Sequence, residues 1–521
     1  MERDLAATME DGVVLLADRW FPPALDRPPV VLLRCPYGRR QIGIIGRLFA
    51  ERGYQTIIQS TRGGFGSGGD WVPFRNERAD GKATLAWLAE QPWYGGSVYT
   101  FGPSYLGIVQ WAMASDAPAD VKAMAPIVTS AFVRNDVIYP GNTLALETLL
   151  AWVYQVEYQE LPARRMLLTM ARRKAAVGKG HNELPVSSSD MRVVGRSVEF
   201  VQDWLRHEAP DDAWWEPVDF RPARALAPPA TFLGGWYDIF LPGQIEDFVA
   251  MRAAGREARM TIGPWTHASP AGMGTSIRDA LAWFDSHGGS SNGRRPESGA
   301  RLFVMGSKRW VDVAEWPPPA TPERWHLQSG GRLSPETPLP SNPDRFRFDP
   351  NDPTPGIGGP SLDSSNAGRK DQGRREERAD VLTYTSAPME RDVTVAGPLA
   401  VDLWFRSTLD HTDVSVRLCV VSTKGRSDNL SDGYRRLRPE DVEVGEDGTS
   451  HVLIDMWPTA ATFRRGERIR LQVAGAAHPL FNRNLGTGEP IGTASVAKTA
   501  EQQIFHDPEH PSAIVLPMST I

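Results

Sequence analysis

The sequence contains only two cysteines among its 521 residues, Cys35 and Cys419, and they lie far apart. A disulfide framework and a cysteine-based zinc cluster are therefore excluded. The chain also lacks a basic excess, because 57 Lys and Arg stand against 63 Asp and Glu, a formal net charge of −6. A mildly acidic chain lacks the positive field that nucleic-acid binding needs, so we expect no nucleic-acid partner.

Long apolar runs are also missing. No stretch of the sequence approaches the roughly 18 consecutive apolar residues of a membrane-spanning helix. The charged N-terminal segment 1–12 has no apolar centre of the kind a signal peptide carries. These absences predict a cytoplasmic protein without a membrane partner. The chain does have an ordinary globular composition, with 41% apolar and 23% charged residues, which is enough for a large core.

The apolar pattern divides the chain into four segments. Segments 1–128 and 221–315 alternate strands with helices, which predicts a parallel sheet covered on both faces. Segment 129–220 has apolar residues at helical spacing and many aromatic residues, which is typical of a helical insertion. Segment 316–521 contains many short strands, which is typical of an antiparallel sandwich. Within that last segment, the charge run 374–378 predicts a solvated loop.

A serine lies between the predicted strand 97–101 and the predicted helix 105–114, in Gly102-Pro103-Ser104-Tyr105-Leu106-Gly107. At such a sharp turn the hydroxyl projects above the sheet, and flanking glycines let the strand and helix backbones approach closely. The first turn of the helix also offers free N–H groups to a developing oxyanion. The general motif has glycine two residues after the serine, whereas here Gly107 comes third. On the motif alone, a nucleophile and an ordinary turn serine are equally supported.

A serine hydroxyl needs a neighbouring base to become nucleophilic at neutral pH. Among the ten histidines, His267 follows the predicted strand 259–262 and a short loop, near the edge where open α/β sheets form their sites. Asp238 also follows a predicted strand and is the candidate that fixes the histidine tautomer, with Asp247 inside a helix as a weaker competitor. The order Ser104, Asp238, His267 is that of the α/β-hydrolase fold. A surface-loop histidine and a helix-capping aspartate stay open as alternatives.

Short segments spread from the N-terminal core into the C-terminal domain carry a more specific pattern. They are Arg34-Cys35-Pro36-Tyr37, Thr61-Arg62-Gly63, 87–93, Gly102 to Gly107, Trp236-Tyr237-Asp238, 263–267 and 348–353. Together they resemble the CocE/NonD hydrolases, the family of cocaine esterase, which is related to X-Pro dipeptidyl peptidases and α-amino acid ester hydrolases. The place of Gly107 after the serine is itself the pattern of that family.

The resemblance implies a fold with three parts: an α/β-hydrolase core, an inserted helical cap and a C-terminal β jelly roll. It implies Ser104 as nucleophile, His267 as base and Asp238 as the partner of the base. It further implies an oxyanion hole formed by the Tyr37 hydroxyl and the backbone N–H of Tyr105. No metal and no organic cofactor is implied. A jelly roll often supplies a contact surface, so a homo-oligomer stays open.

The residues after the candidate aspartate are apolar, in the order Ile239-Phe240-Leu241. Relatives that hydrolyse α-amino acid esters resemble one another in placing acidic residues here, to pair with the ammonium of the substrate. Because an unpaired buried ammonium is costly, we expect a neutral or aromatic acyl group, with Phe240 and Trp152 lining its pocket. Core packing is the alternative for either aromatic residue. Asp211 and Asp212 keep the amino-acid option open, unless they flank a helix.

The sequence therefore predicts a serine hydrolase that cleaves carboxylic esters of a small-molecule substrate through an acyl-enzyme, with amides as a further substrate class. An X-Pro dipeptidyl peptidase or an acylase on the same scaffold is the first alternative. The second alternative is a protein whose jelly roll binds carbohydrate and whose serine is inert.

Overall fold

The computed structural model describes residues 1–288 and 297–521 and contains two large sheets. The first sheet begins with six strands: β1 (Glu2–Thr8), β2 (Val14–Trp20), β3 (Val30–Cys35), β4 (Gln55–Ser60), β5 (Val98–Pro103) and β6 (Val121–Ile127). Three helices alternate with them: α1 (Gly43–Ala50), α2 (Glu77–Ala89) and α3 (Tyr105–Ala114). Strands β3 and β4 are buried along their whole length, because helices cover both faces of a parallel sheet.

A helical segment follows β6. It opens with a π-helical turn (Arg134–Ile138) and continues with α4 (Leu146–Tyr158), α5 (Ala163–Gly180), α6 (Ser189–Val194) and α7 (Glu199–Arg206). The leucines and valine whose spacing predicts a helix are all buried on α4: Leu146, Leu149, Leu150 and Val153. They pack into the same hydrophobic cluster as residues of the first sheet, so the helical segment is joined firmly to it.

The chain then returns to the first sheet through β7 (Ala230–Tyr237), α8 (Leu241–Ala253), β8 (Ala258–Thr266), α9 (Pro270–His287), β9 (Gly299–Val304) and β10 (Arg309–Val313). The strand order is β1-β2-β4-β3-β5-β6-β7-β8-β9-β10. Strands β3 to β9 pair in parallel, whereas β1, β2 and β10 add antiparallel edges.

Two boundaries in this part differ from the prediction. Strand β8 does not end at residue 262 but continues to Thr266, because Gly263 and Thr266 still pair with β7 across a bulge. The segment 263–266, predicted as a loop, is therefore strand. The apolar pattern predicts the next helix over 245–254, but α8 begins four residues earlier, at Leu241, with Pro242 in its first turn. Proline suits the first turn of a helix because an N–H group at that position would have no acceptor within the helix, so its absence costs no hydrogen bond.

The second sheet has eleven strands: β11 (Ala320–Gln328), β12 (Arg332–Ser334), β13 (Asp344–Phe348), β14 (Val381–Thr385), β15 (Val393–Ser407), β16 (Thr412–Val421), β17 (Ser427–Leu437), β18 (Ser450–Phe463), β19 (Arg468–Ala474), β20 (Ala500–Ile504) and β21 (Ala513–Ser519). A short helix, α10 (Gly373–Glu376), precedes β14. Strand β21 pairs with both β11 and β15, which closes the sheet on itself. The predicted fold class, an α/β-hydrolase core with a helical insertion and a β-rich C-terminal domain, is confirmed.

The prediction of a solvated loop for the charge run 374–378 is wrong, because residues 374–376 belong to α10 and one of them, Arg375, is buried. Arg375 is fully buried and donates hydrogen bonds to Gln472 Oε1 (2.9 Å) and Ser415 Oγ (3.3 Å). Burial and the neighbouring Arg417 lower the pKa of Arg375 to about 9. The partners come from strands distant in sequence, so the local charge pattern could not indicate them. Within the two described ranges, no helix is long and apolar enough to cross a membrane.

Candidate active site

Ser104 occupies the sharp turn between β5 and α3. Its backbone has φ 57° and ψ −125°, a conformation that non-glycine residues rarely adopt. Residues at and just after the end of β6 hold this backbone by hydrogen bonds: Ser104 N–H donates to Ile127 O (2.9 Å), and the Thr129 hydroxyl donates to Ser104 O (3.0 Å). Because strained backbone persists only where its surroundings enforce it, this turn is a candidate functional site.

The two flanking glycines are required by close contacts. A Cβ atom at Gly102 would lie 2.3 Å from Leu106 Cβ, and one at Gly107 would lie 2.3 Å from Thr129 Cγ2. The shifted glycine of this motif is thus explained by Thr129, which packs against α3 at the third position after the serine. Sequence reasoning missed Thr129, because nothing in its local pattern marks a residue after β6 as a support for the turn.

Asp238 and His267 meet at the ends of neighbouring parallel strands. Asp238 directly follows β7 and is fully buried, and His267 directly follows β8 with 14% of its side chain exposed. Asp238 Oδ2 lies 2.9 Å from His267 Nδ1, so the carboxylate accepts a hydrogen bond from the Nδ1–H group of the imidazole. Its other oxygen, Oδ1, accepts a hydrogen bond from Phe240 N–H (2.8 Å). The imidazole is therefore held with Nε2 free to accept a proton.

The other carboxylates weighed from the sequence lie elsewhere. Asp247 is buried on α8, where it pairs with Arg224 (2.7 Å to Nε), and burial raises its pKa to about 7. Asp212 accepts a hydrogen bond from Trp214 N–H (2.8 Å) and caps the short helix that follows. This agrees with the alternative that Asp211 and Asp212 flank a helix. Neither aspartate lines the cavity at Ser104.

Tyr37 follows β3 and lies over the turn at Ser104. Its hydroxyl oxygen accepts a hydrogen bond from Trp152 Nε1–H (3.1 Å). Burial raises the pKa of the Tyr37 phenol, and the neighbouring Trp152 and Ser104 partly offset that rise. The phenol is thus a neutral hydrogen-bond donor beside the serine at any pH near neutrality.

Tyr105 presents its backbone and its side chain to different surroundings. It is the first residue of α3, so its N–H has no partner within the helix and lies next to Ser104. Its phenol points away, donating to Glu77 Oε1 (2.7 Å) and accepting from Phe74 N–H (3.0 Å). Glu77 in turn pairs with the fully buried Arg34 (2.9 Å). Burial raises the pKa of Glu77, and the buried network anchors the start of α3.

A cavity of about 320 Å³ opens above Ser104. Its lining is mostly apolar and comes from both the first sheet and the helical segment; it includes Tyr37, Phe74, Ser104, Val137, Ile138, Thr148, Leu149, Trp152, Gln155, Trp204, Ile239, Phe240, His267, Met273 and Leu362. Phe240 and Trp152, the two residues predicted for the acyl pocket, both line it. Among the described residues that line it there is no carboxylate, lysine or arginine, so the cavity suits an uncharged group.

Three aromatic rings form one wall of this cavity. Phe74, Trp152 and Trp204 lie nearly parallel, with interplanar angles of 5 to 9° and centroids 5.9 to 6.2 Å apart. Sequence reasoning gave no role at the site to Phe74, which lies in a loop after β4. Its positive φ of 70° is visible only in the structure.

The C-terminal β domain also reaches the site. Trp457 on β18 donates its Nε1–H to Asp238 O (3.3 Å), and Leu362 belongs to the cavity lining. Sequence reasoning predicted neither contact, because both depend on how the two sheets pack. Within residues 1–288 and 297–521, no group of three or more His, Cys, Asp or Glu side chains is arranged to hold a metal ion.

Comparisons with known proteins agree with this architecture. Residues 11–269 match the family model of the X-Pro dipeptidyl-peptidase (S15 family), and residues 292–515 match the X-Pro dipeptidyl-peptidase C-terminal non-catalytic domain. An α-amino acid ester hydrolase superposes with a TM-score of 0.85 at 20% identity, covering 100% of this chain and 96% of its own. A CocE/NonD family hydrolase from Staphylococcus aureus gives 0.72 at 16% identity, covering 99% and 93%. Both structures share the fold.

Sequence similarity is higher to cocaine esterase of a Rhodococcus species. The two chains are 32% identical over 98% of this chain and 97% of that protein. The aligned region therefore includes both the serine turn and the C-terminal β domain. The chain therefore belongs to the family of cocaine esterase, the CocE/NonD hydrolases.

Proposed function

We propose that this protein is a serine hydrolase that cleaves carboxylic esters through an acyl-enzyme, with Ser104 as nucleophile, His267 as general base and Asp238 as its partner. The observation that carries the proposal is the meeting of two features at one cavity. One is a serine held in a strained turn at a helix start; the other is an imidazole hydrogen-bonded by a buried carboxylate. Membership in a family that includes an esterase supports the same reaction.

The proposed reaction has two steps. Ser104 Oγ attacks the ester carbonyl carbon while His267 Nε2 takes the hydroxyl proton, and the imidazolium then gives that proton to the departing alcohol. A water molecule, deprotonated by the same nitrogen, next attacks the acyl-enzyme; the imidazolium returns that proton to Ser104 Oγ as the bond between Oγ and the acyl carbon breaks and the acid is released. Asp238 stays ionised and stabilises the imidazolium, which the 2.9 Å contact to Nδ1 supports.

The negative charge on the carbonyl oxygen needs two donors during both steps. In this proposal they are the Tyr37 hydroxyl and the backbone N–H of Tyr105, which flank Ser104. A donor fixed in place before the reaction costs no reorganisation when the charge develops. By analogy with other such holes, each is worth about 3 kcal/mol in the transition state.

This function is tested by covalent capture with a fluorophosphonate probe, followed by peptide mapping. We expect one equivalent of probe per chain, attached to Ser104, and competition by p-nitrophenyl butyrate. A chain that hydrolyses no ester and takes up no probe would instead support the carbohydrate-binding alternative, in which the turn is inert.

We further propose that the acyl group is neutral, and aromatic acyl groups fit the stacked wall. A matched pair of ethyl esters tests this: 3-phenylpropanoate, and phenylalanine, which adds only an ammonium. At a pH of about 6 the amine is charged. No carboxylate lines the cavity within residues 1–288 and 297–521. The neutral ester is therefore expected to have a kcat/KM at least about 100-fold higher, since burying an unpaired ammonium costs several kcal/mol.

A second measurement decides between this proposal and the peptidase alternative. An X-Pro dipeptidyl peptidase must accept the free ammonium terminus of its substrate, one residue before the scissile carbonyl, so it would release dipeptide from an Xaa-Pro p-nitroanilide. If the charged phenylalanine ester is turned over as well as the 3-phenylpropanoate ester, or better, the proposal of a neutral acyl group is wrong. The family model that matches residues 11–269 makes this comparison necessary.

A further inference from the structure

The Tyr37 hydroxyl lies between two groups from different parts of the chain. Below it is Ser104 at the start of α3, and beside it is Trp152 on α4. The indole Nε1–H of Trp152 donates to the phenol oxygen over 3.1 Å. One side of the proposed oxyanion donor is thus fixed by the helical segment and not by the sheet that carries Ser104.

The chemistry of the two groups sets the direction of these hydrogen bonds. An indole N–H is only a donor, so the phenol oxygen must accept from it, and the phenol O–H remains to donate elsewhere. The Ser104 side chain is another neighbour of the phenol, and in the proposed function the carbonyl oxygen of the substrate becomes negative beside it. A donor bound to the phenol oxygen also polarises its O–H and strengthens the bond that it makes in turn.

Trp152 cannot easily turn away from the phenol. Phe74 and Trp204 lie parallel to its ring at 6.1 and 5.9 Å, and Phe200 meets it edge-on at 5.5 Å. These rings fix the plane of the indole and therefore the direction of its N–H. The end of the same helix also holds the Tyr37 loop, because Gln159 Nε2 donates to Pro36 O (2.9 Å).

We propose that Trp152 is a positioning residue, whose N–H holds the Tyr37 hydroxyl in the orientation that donates to the oxyanion. This inference rests on the proposed function. It goes beyond a role as a wall of the acyl pocket, and the two roles differ in their consequences. A wall acts on KM and only for acyl groups large enough to touch it, whereas a positioning residue acts on kcat for every ester, including an acetate.

The test is a double-mutant cycle with Trp152→Phe and Tyr37→Phe, measured with p-nitrophenyl acetate and p-nitrophenyl benzoate. Trp152→Phe keeps an aromatic ring but removes the N–H, and it is expected to lower kcat about tenfold for both esters. In the Tyr37→Phe background the same change should lower kcat less than about twofold, since no phenol is left to orient. An equal loss in both backgrounds would overturn the proposal.

Trp204→Phe is the matched control, because it removes an indole N–H from the same wall without touching Tyr37. Its effect on the benzoate should be the same with and without the Tyr37 hydroxyl. Gln159→Leu, at the partly exposed end of α4, provides a milder second variant should Trp152→Phe fold poorly. We expect it to lower kcat about threefold, again only when Tyr37 is present, and unchanged kcat would count against the proposal.

The two proposals fail in distinguishable ways. If the proposed function is wrong, the unaltered protein neither hydrolyses the esters nor reacts with the fluorophosphonate. If only the role of Trp152 is wrong, the unaltered protein is active and the losses from Trp152→Phe and Tyr37→Phe multiply without coupling.

Discussion

Replacing Ser104 with alanine is expected to reduce kcat for p-nitrophenyl acetate by about 10⁶-fold and to abolish the acylation burst. The change removes one oxygen atom from a residue whose backbone is held by Ile127 and Thr129, so the turn should keep its shape. Among the described residues that line the cavity, the others with a hydroxyl are Tyr37, Tyr105 and Thr148, and none of these three has the positive φ that Ser104 has. The loss should therefore be nearly complete.

Stopped-flow kinetics separate this prediction from a binding defect. The unaltered protein should release one equivalent of p-nitrophenol before the steady state if deacylation is slow, and Ser104→Ala should release none. A ketone that replaces the ester oxygen of the substrate with CH₂ cannot be hydrolysed. Its affinity for Ser104→Ala should be close to its affinity for the unaltered protein. Ser115→Ala, at the far end of the same helix, is the matched control and should turn over normally. A burst that survives Ser104→Ala would remove this residue from the mechanism.

Replacing Asp238 with asparagine is expected to lower kcat by about 10⁴-fold. The structure fixes how the new amide must sit, because Phe240 N–H donates to Oδ1 and therefore demands an oxygen there. The NH₂ group then takes the place of Oδ2, 2.9 Å from His267 Nδ1. A donor at that place forces the proton of the neutral imidazole onto Nε2, which can then no longer accept the proton of Ser104.

The expected signature is a loss in kcat with an intact fold, measured as ester turnover together with a thermal unfolding curve. Asp247→Asn is the matched control, since Asp247 is also a fully buried aspartate of this region. That control should lower the unfolding temperature by weakening the pair with Arg224, yet leave the turnover of the folded protein near normal. The reverse result, with Asp247→Asn inactive and Asp238→Asn active, would show that Asp238 is not the partner of the base.

The local sequence was sufficient for several of the elements that carry the candidate site. The predicted helix 105–114 has the bounds of α3, and the apolar runs before Ser104 and Asp238 are buried strands. These elements follow from patterns of a few residues, in which apolar runs bounded by glycine and proline indicate strands and turns. The end of β8 was misjudged, because Gly263 and Pro264 resemble loop residues although pairing with β7 continues beyond them.

Contacts between distant segments could not be predicted in this way. Thr129 explains why glycine stands third after the serine, and Phe74 and Trp204 complete the wall of the cavity. Trp457, more than 200 residues beyond Asp238, supports its backbone from the second sheet. The buried Arg375 looked solvated within its charge run for the same reason, since its partners lie on other strands.

The sequence by itself determined which side chains the chain offers and the order of the elements that carry them: a serine after one strand, an aspartate and a histidine after two later ones. Parallel strands end at a common edge, so their order already brought these residues near one another. Only the tertiary structure decided the direction of each hydrogen bond, the uncharged lining of the cavity and the indole that holds Tyr37. Those features depend on packing between segments, and packing is set by the shapes of surfaces that meet only in the folded chain.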